Sequence, residues 1–159
     1  MNDETVTISA PGTPTGDKNN LIFVDTDVVL DLLTGRQPHY AFAVLLFTLA
    51  EMEKFTLCVT PLLISNTFYI LRKQLGNEKA KEVLRKLKII TKVFDSSEKT
   101  VEKALNSSFN DLEDAIQYYT AAENGIPVIL TRNLHDYKNA QIVVQTPEEY
   151  LITHGWIGN

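Results

Sequence analysis

The fold of this chain is decided by one stretch, Leu21-Ile22-Phe23-Val24-Asp25-Thr26-Asp27-Val28-Val29-Leu30. A short apolar run with aromatic and β-branched residues predicts a buried strand. Asp25 falls at the carboxyl end of that strand, where open α/β sheets place their ligands. Asp27 lies in the first turn of the helix that is expected next, a favourable position for a carboxylate. Because Asp25 could equally cap this helix, the stretch alone leaves both a cap and a ligand open.

The composition is that of one soluble domain. Of 159 residues, 44% are hydrophobic and 22% are charged, and the formal net charge is −5. This charge argues against general attraction to nucleic acid unless basic residues cluster, and it suits carboxylates gathered around a cation. A single cysteine, Cys58, cannot form an intrachain disulfide. Without a signal-peptide pattern or a long apolar run, we expect a cytoplasmic protein that does not enter a membrane.

Apolar β runs alternate with amphipathic helical segments along the chain. This alternation predicts an α/β domain with a mainly parallel sheet over 21–159, preceded by a flexible N-terminal extension over 1–20. Two helices between 38 and 88 are expected to form an appended hairpin. The predicted strands are 21–24, 57–59, 89–94, 127–131 and 141–144. The predicted helices are 26–33, 39–52, 61–75 after Thr60 as N-cap, and a helix capped by Asn77. Three more are predicted: one from Ser96 or Ser97 to about 106, one from Asn110 or Asp111 to 124, and one from 147.

Further acidic and amide side chains follow or open other elements. Asp111, Glu113 and Asp114 open a helix, and Asn133 and Asp136 follow a late strand. The ends of parallel strands share one edge of a sheet, so these groups can meet there. Clustered carboxylates raise one another's pKa, and a divalent cation removes that cost. Oxygen ligands suit Mg²⁺ or Mn²⁺, which can activate water against a phosphodiester. Each residue alone also has a structural interpretation, Asp111 as an N-cap and Asp136 as a turn residue.

Four segments of the chain, in order, resemble the motifs of PIN-domain ribonucleases. The opening motif is matched by 25–33, and the helix that carries the third acidic residue is matched by 111–116. The segment 130–137 resembles the family's "TRN…D" motif, and 146–151 is similar to the closing segment of one branch. The resemblance covers about residues 21–151.

The resemblance implies a three-layer α/β/α domain that binds Mg²⁺ or Mn²⁺ and cleaves single-stranded RNA. Many members are toxins of bacterial toxin–antitoxin pairs, so an antitoxin partner and a homodimer are expected. By position, Asp25 matches the first acidic ligand and Asp114 the third. Asn133 matches the fourth polar position, and Asp111 is an additional metal ligand. Asp136 is a supporting acid that is expected to hold the cation together with Asp25 and Asp114, directly or through water.

One position departs from the family pattern. The family's second acid, usually Glu on the third helix, is Asn66 here. An amide can orient a water molecule but carries no charge. We therefore expect weaker metal affinity and weak or altered catalysis, partly compensated by Asp27, Asp111 and Asp136, with Asn66 and Asn133 in orienting roles.

Two basic residues are placed to touch RNA phosphates, Arg36 after the first helix and Arg132 beside the site. Two alternatives to the ribonuclease remain. One is a non-catalytic PIN-fold module that binds RNA or protein. The other is a phosphatase of the haloacid-dehalogenase type, because Asp25-Thr26-Asp27 also resembles its Asp-x-Asp motif.

Overall fold

The central sheet has five strands, and every neighbouring pair runs parallel. In chain order the strands are β1 (Leu21–Val24), β2 (Thr56–Val59), β3 (Thr91–Val93), β4 (Val128–Leu130) and β5 (Val143–Gln145). Their order across the sheet is β3-β2-β1-β4-β5, which puts β1 at the centre with β4 beside it. The computed structural model describes residues 20–158, so the expected flexible extension lies outside the described residues apart from Asn20.

Seven α-helices within residues 20–158 connect and cover these strands. They are α1 (Thr26–Thr34), α2 (Tyr40–Glu51), α3 (Pro61–Leu75), α4 (Asn77–Ile90), α5 (Glu98–Leu105), α6 (Leu112–Glu123) and α7 (Pro147–Thr153). A short 3-10 helix, Leu134–Tyr137, follows β4. Thr60 caps α3 as predicted, because its side chain accepts a 3.1 Å hydrogen bond from the Leu63 amide. In residues 20–158 no helix is both long enough and apolar enough to cross a membrane.

Alternating side chains of the strands build a core on each face of the sheet. On one face, Ile22 and Val24 join the large apolar cluster formed with α1, α2, α3, α4 and α7. On the other face, Phe23, Cys58 and Ile129 pack against residues of α6 and the 3-10 helix. Side chains of a strand point alternately to its two faces, so burial on both faces explains the continuous apolar run. The three-layer α/β/α architecture predicted from the sequence is confirmed.

The boundaries of α4, β3 and β5 are among those that differ from the prediction. Gly76, rather than Asn77, occupies the N-cap of α4, without a side-chain cap. α4 continues through Ile90, so the third strand is shorter than the predicted 89–94. The helical spacing of Leu84, Leu87 and Ile90 keeps this end of α4 on the core. β5 lies two residues later than predicted at its start. The expected helical hairpin is confirmed as α3 packed on α4.

Candidate active site

Asp25 stands where the two central strands end. Its backbone amide donates a 2.9 Å hydrogen bond to the Leu130 carbonyl, which extends the β1–β4 pairing by one residue. Its Oδ1 accepts from the Thr26 amide at 2.6 Å, and its Oδ2 accepts from Thr131 Oγ1 at 2.8 Å. Asp25 is therefore the N-cap of α1 and is only 5% exposed. The cap interpretation is confirmed, while a role as metal ligand stays a prediction.

Asp114 reaches the same edge from the first turn of α6. The N-cap of this helix is Asp111, whose Oδ1 accepts from the amides of Glu113 at 2.8 Å and Asp114 at 3.2 Å. Asp114 is 9% exposed, and the Tyr137 hydroxyl donates to its Oδ1 over 3.4 Å. The cap interpretation of Asp111 is confirmed, and its contribution as a metal ligand stays a prediction.

The segment after β4 brings two further predicted site residues to this edge. Asn133 directly precedes the 3-10 helix, and Asp136 lies within it. The side-chain amide of Asn133 donates a hydrogen bond to Oδ2 of Asp136. The backbone amide of Asn133 donates to Thr131 Oγ1 at 3.0 Å. Asp136 in turn lies close enough to Asp114 for its negative charge to raise the pKa of Asp114.

The pKa of Asp25 is raised from 3.8 to about 7. Burial is the main cause, because a low-dielectric environment disfavours the charged form. The neighbouring carboxylates of Asp27 and Glu113 raise it further, whereas the hydrogen bond from Thr131 lowers it. Asp25 thus lies in an environment of excess negative charge.

The pKa of Asp114 is raised from 3.8 to about 8. Burial is again the largest cause, followed by the charges of Asp25, Asp111 and Asp136. The same field raises the pKa of the buried Tyr137 hydroxyl, after the effect of its own burial. Asp25, Asp111 and Asp136 therefore act together on Asp114 as one group of negative charges.

The donor atoms fit a hard divalent cation, but the ligand set is not closed. All the candidate donors are carboxylate or amide oxygens, which suit Mg²⁺ and Mn²⁺. A cation would offset the mutual repulsion that raises the pKa values of Asp25 and Asp114. Across residues 20–158, however, no three His, Cys, Asp or Glu side chains converge into a ready-made metal site. The predicted ligands Asp25, Asp114, Asp136 and Asp111 thus share a neighbourhood without forming a closed cage.

Asp27 and Arg132 form a second network behind the site. The backbone amide of Arg132 donates to Asp27 Oδ2 at 3.2 Å. The side-chain Nε of Arg132 lies 3.0 Å from Oδ2 of Asp31 and forms an ion pair with it. The two groups are not aligned for a hydrogen bond, and Asp31 is only 1% exposed. Arg132 therefore fastens the segment after β4 to α1, and RNA contact by this residue stays a prediction. The same holds for Arg36, which is exposed just after α1.

Glu113 belongs to the acidic start of α6, but the motif pattern predicted no role for it at the site. Its Oε2 accepts a 2.7 Å hydrogen bond from Asn66 Nδ2. Its Oε1 accepts from the Thr26 hydroxyl and, at 2.9 Å, from Gln117 Nε2. Its charge reaches Asp25, whose pKa it helps to raise. The sequence contained one signal for this contact, the amide of Asn66 at a position where a carboxylate was expected. A buried or half-buried amide requires a hydrogen-bond acceptor, and Glu113 provides it.

The comparison with known families identifies the chain. The model of the PIN domain matches residues 21–135, most of the chain. The chain therefore belongs to the PIN-domain family. It is similar to Ribonuclease VapC1 of Aquifex aeolicus, with 29% identity over 134 residues that cover 81% of this chain and 92% of that protein.

Solved structures of toxin–antitoxin systems share the fold. A DNA-bound VapBC complex from Salmonella typhimurium has a chain with TM-score 0.61 and 15% identity, covering 79% of this chain and 97% of that one. A toxin–antitoxin complex from Klebsiella pneumoniae has TM-score 0.59 and 20% identity, covering 79% and 97%. VapC20 of Mycobacterium tuberculosis, a toxin that cleaves the sarcin–ricin loop, has TM-score 0.55 and 16% identity, covering 68% and 86%. The similarity confirms the expected fold, and the phosphatase alternative finds no support in it.

Proposed function

We propose that this protein is a metal-dependent endoribonuclease that cleaves single-stranded RNA, acting as the toxin of a toxin–antitoxin pair. The observation that carries the proposal is the position of Asp25 and Asp114, two buried carboxylates at one edge of the sheet, close enough for the charge of Asp25 to raise the pKa of Asp114. Membership of the PIN family and the similarity to a ribonuclease support the same reaction.

Mg²⁺ or Mn²⁺, when bound, would stabilise negative charge on the phosphate and acidify a water molecule. Asp25 and Asp114 would hold the cation, with Asp111 at the rim of the site. The half-buried Asp136 carboxylate, held by Asn133, would accept the proton of the attacking water. The water oxygen attacks phosphorus, one P–O ester bond breaks, and the departing oxygen takes up a proton. Arg36 would contact a neighbouring phosphate.

Cleavage of a 5′-labelled single-stranded RNA in Mn²⁺ tests this proposal. The wild type is expected to produce discrete fragments, and excess EDTA should abolish them. Asp25→Asn and Asp114→Asn should each reduce the rate by at least about 10- to 100-fold, because each removes a carboxylate that would hold the cation. The exposed Glu102, on α5, provides the control Glu102→Gln, which should cleave at the wild-type rate.

The non-catalytic module is the second candidate, favoured by the neutral Asn66 at a carboxylate position. It predicts RNA binding without fragments in either metal. If the wild type binds the RNA in a filter-binding assay and leaves it intact in Mg²⁺ and Mn²⁺, the enzyme proposal fails and the module stands.

We infer in addition that an antitoxin protein and a second copy of the chain are its partners in the cytoplasm. The structural neighbours from Salmonella and Klebsiella are complexes of this kind, which supports the first inference. An open apolar groove of about 620 Å³ between α3 and α4 offers a surface for a partner segment. Ile64, Phe68 and Leu84 line it, and Lys81, Arg85 and Lys88 surround it. Its charge suits an acidic amphipathic helix.

Mutation of the groove tests where the antitoxin would bind. Arg85→Glu combined with Lys88→Glu should weaken the complex with a co-expressed antitoxin at least about tenfold, because two attractions become repulsions. Lys99→Glu, at an exposed position of α5, should leave it unchanged. Light scattering on the free protein tests the homodimer, since a monomer mass at micromolar concentration would contradict it.

A further inference from the structure

The half-buried side-chain amide of Asn66 forms a hydrogen bond with an acidic residue at the candidate site. Its Nδ2 donates a 2.7 Å hydrogen bond to Oε2 of Glu113. The two residues come from different helices, α3 and α6, and lie 47 positions apart in the sequence. An ionised carboxylate only accepts hydrogen bonds, so the amide nitrogen is the group that fits this contact. The family's second acid is thus replaced here by an amide that holds another acid.

Donors from three helices fix the carboxylate of Glu113. The Thr26 hydroxyl on α1 and the Gln117 amide on α6 donate to Oε1, and Asn66 on α3 donates to Oε2. All three donors are neutral. In the part of the chain that the structure describes, no Lys, Arg or His forms an ion pair with Glu113. The side chain is therefore oriented while its negative charge is left uncompensated.

That charge acts on the candidate metal site. Glu113 precedes Asp114 directly, and it is among the charges that raise the pKa of Asp25. A carboxylate placed only to favour the positive end of a helix would not need donors from two further helices. Asp111 moreover already caps α6.

From these contacts we propose that Glu113 supplies the second carboxylate of the cation site, in place of the family's acid on α3, and that Asn66 is its positioning residue. The proposal rests on the proposed metal-dependent function. Under this proposal Asn66 does not mark a missing charge, because the carboxylate that the family pattern places on α3 is supplied by Glu113 on α6. The expectation of a weakened site does not follow once Glu113 is counted.

The hydrogen-bond geometry provides an isosteric test. In the double variant Asn66→Asp/Glu113→Gln, the new Gln amide can donate to the new Asp while its carbonyl oxygen still accepts from Thr26 and Gln117. Every contact is kept and the charge returns to α3. In Glu113→Gln alone, Asn66 can turn its carbonyl oxygen towards the new amide, so the fold keeps its contacts while the charge disappears.

Mn²⁺ affinity measured by isothermal titration calorimetry is the readout. We expect Glu113→Gln to bind Mn²⁺ about 10- to 100-fold more weakly than the wild type, the range for residues that tune a metal site. The double variant should recover to within about threefold of the wild type, and the Glu102→Gln control should match the wild type. A purely structural role of Glu113 would move thermal stability and leave affinity unchanged.

The outcomes separate this proposal from the function on which it rests. A wild type that binds no Mn²⁺ overturns both. If Asp25→Asn loses Mn²⁺ binding while Glu113→Gln keeps wild-type affinity, Glu113 has no part in the site and the metal-dependent function stands. A double variant that binds as weakly as Glu113→Gln alone also overturns the exchange of roles between Asn66 and Glu113.

Discussion

The Thr131 hydroxyl donates a 2.8 Å hydrogen bond to Oδ2 of Asp25, across 106 positions of sequence. Both atoms are buried, and the two residues directly follow the neighbouring strands β4 and β1. The same hydroxyl oxygen accepts from the Asn133 amide at 3.0 Å. Thr131 therefore connects the first predicted site residue to the segment that carries the last two, which makes its hydroxyl a structural centre of the site.

Thr131→Val should destabilise the protein by about 1–3 kcal/mol, the cost of leaving a buried acceptor without its donor. It should also raise the pKa of Asp25 above about 7, since the donated hydrogen bond favours the ionised carboxylate. Urea denaturation measures the first effect and a carboxyl ¹³C NMR titration the second. Thr131→Ser keeps the hydroxyl and serves as the matched control. A Val variant with wild-type stability and an unchanged Asp25 titration would contradict the assigned contact.

Asp114→Asn should stabilise the metal-free protein at alkaline pH. The folded-state pKa of Asp114 is raised to about 8 from 3.8, so between these values the folded state holds a proton that the unfolded state has lost. Its contribution to the free energy of unfolding therefore falls as pH rises from about 4 to 8. The neutral Asn side chain removes this pH dependence.

At pH 8.5 the Asn variant should gain at least about 1 kcal/mol, or roughly 3 °C in Tm, over the wild type, and the gain should shrink towards pH 4. Differential scanning fluorimetry with EDTA across this range is the measurement. Asp95→Asn, at an exposed residue after β3, is the control for a surface charge change. A gain independent of pH would show that Asp114 is not held near neutrality by burial and its acidic neighbours.

The elements and the position of the site could be predicted because they depend on local patterns. The apolar run before Asp25, the proline after Thr60 and the acids at the start of α6 each record a local preference of the chain. No local sequence pattern predicts the contact between Asn66 and Glu113. It depends on how α3 and α6 pack, and a one-residue difference between Glu113 and Asp114 decides which carboxylate meets the amide. Local sequence patterns therefore predict the elements and the edge of the sheet at which the candidate site lies, but not the contact between Asn66 and Glu113.

Arg132→Met should destabilise the protein strongly. It leaves the Asp31 carboxylate buried without the guanidinium that lies 3.0 Å away. Removing one partner of a fully buried ion pair typically costs about 3–5 kcal/mol, and the lower end of this range is expected here, because the Arg132 side chain is 31% exposed. Burial already raises the pKa of Asp31 and Arg132 opposes that rise, so the variant should regain stability as the pH falls and Asp31 takes up a proton. Urea denaturation at pH 7.5 and 5 measures both effects.

Asp31→Asn in the Arg132→Met background isolates the effect of the buried charge. The double variant should recover part of the lost stability at pH 7.5 and show less pH dependence. Arg85→Met, at an exposed position of α4, controls for the loss of an arginine. Equal stability of the single and double variants at pH 7.5 would mean that Asp31 is not a significant unpaired charge.

Binding of Mn²⁺ should release protons near neutral pH. In the metal-free protein the pKa values of Asp25 and Asp114 are about 7 and about 8, so both carboxyl groups are largely protonated at pH 6.5. A cation binds the ionised form, and its affinity must therefore rise with pH as the competing protons leave.

Titration calorimetry at pH 6.5 in two buffers with different ionisation enthalpies should give a release of about one to two protons, because two carboxyl groups that are mostly protonated at this pH must ionise. At pH 9 the buffer dependence should vanish, and Asp114→Asn should reduce the release at pH 6.5 by about one proton. Heats that are identical in the two buffers at pH 6.5 would mean that Mn²⁺ binds elsewhere than on these two carboxylates.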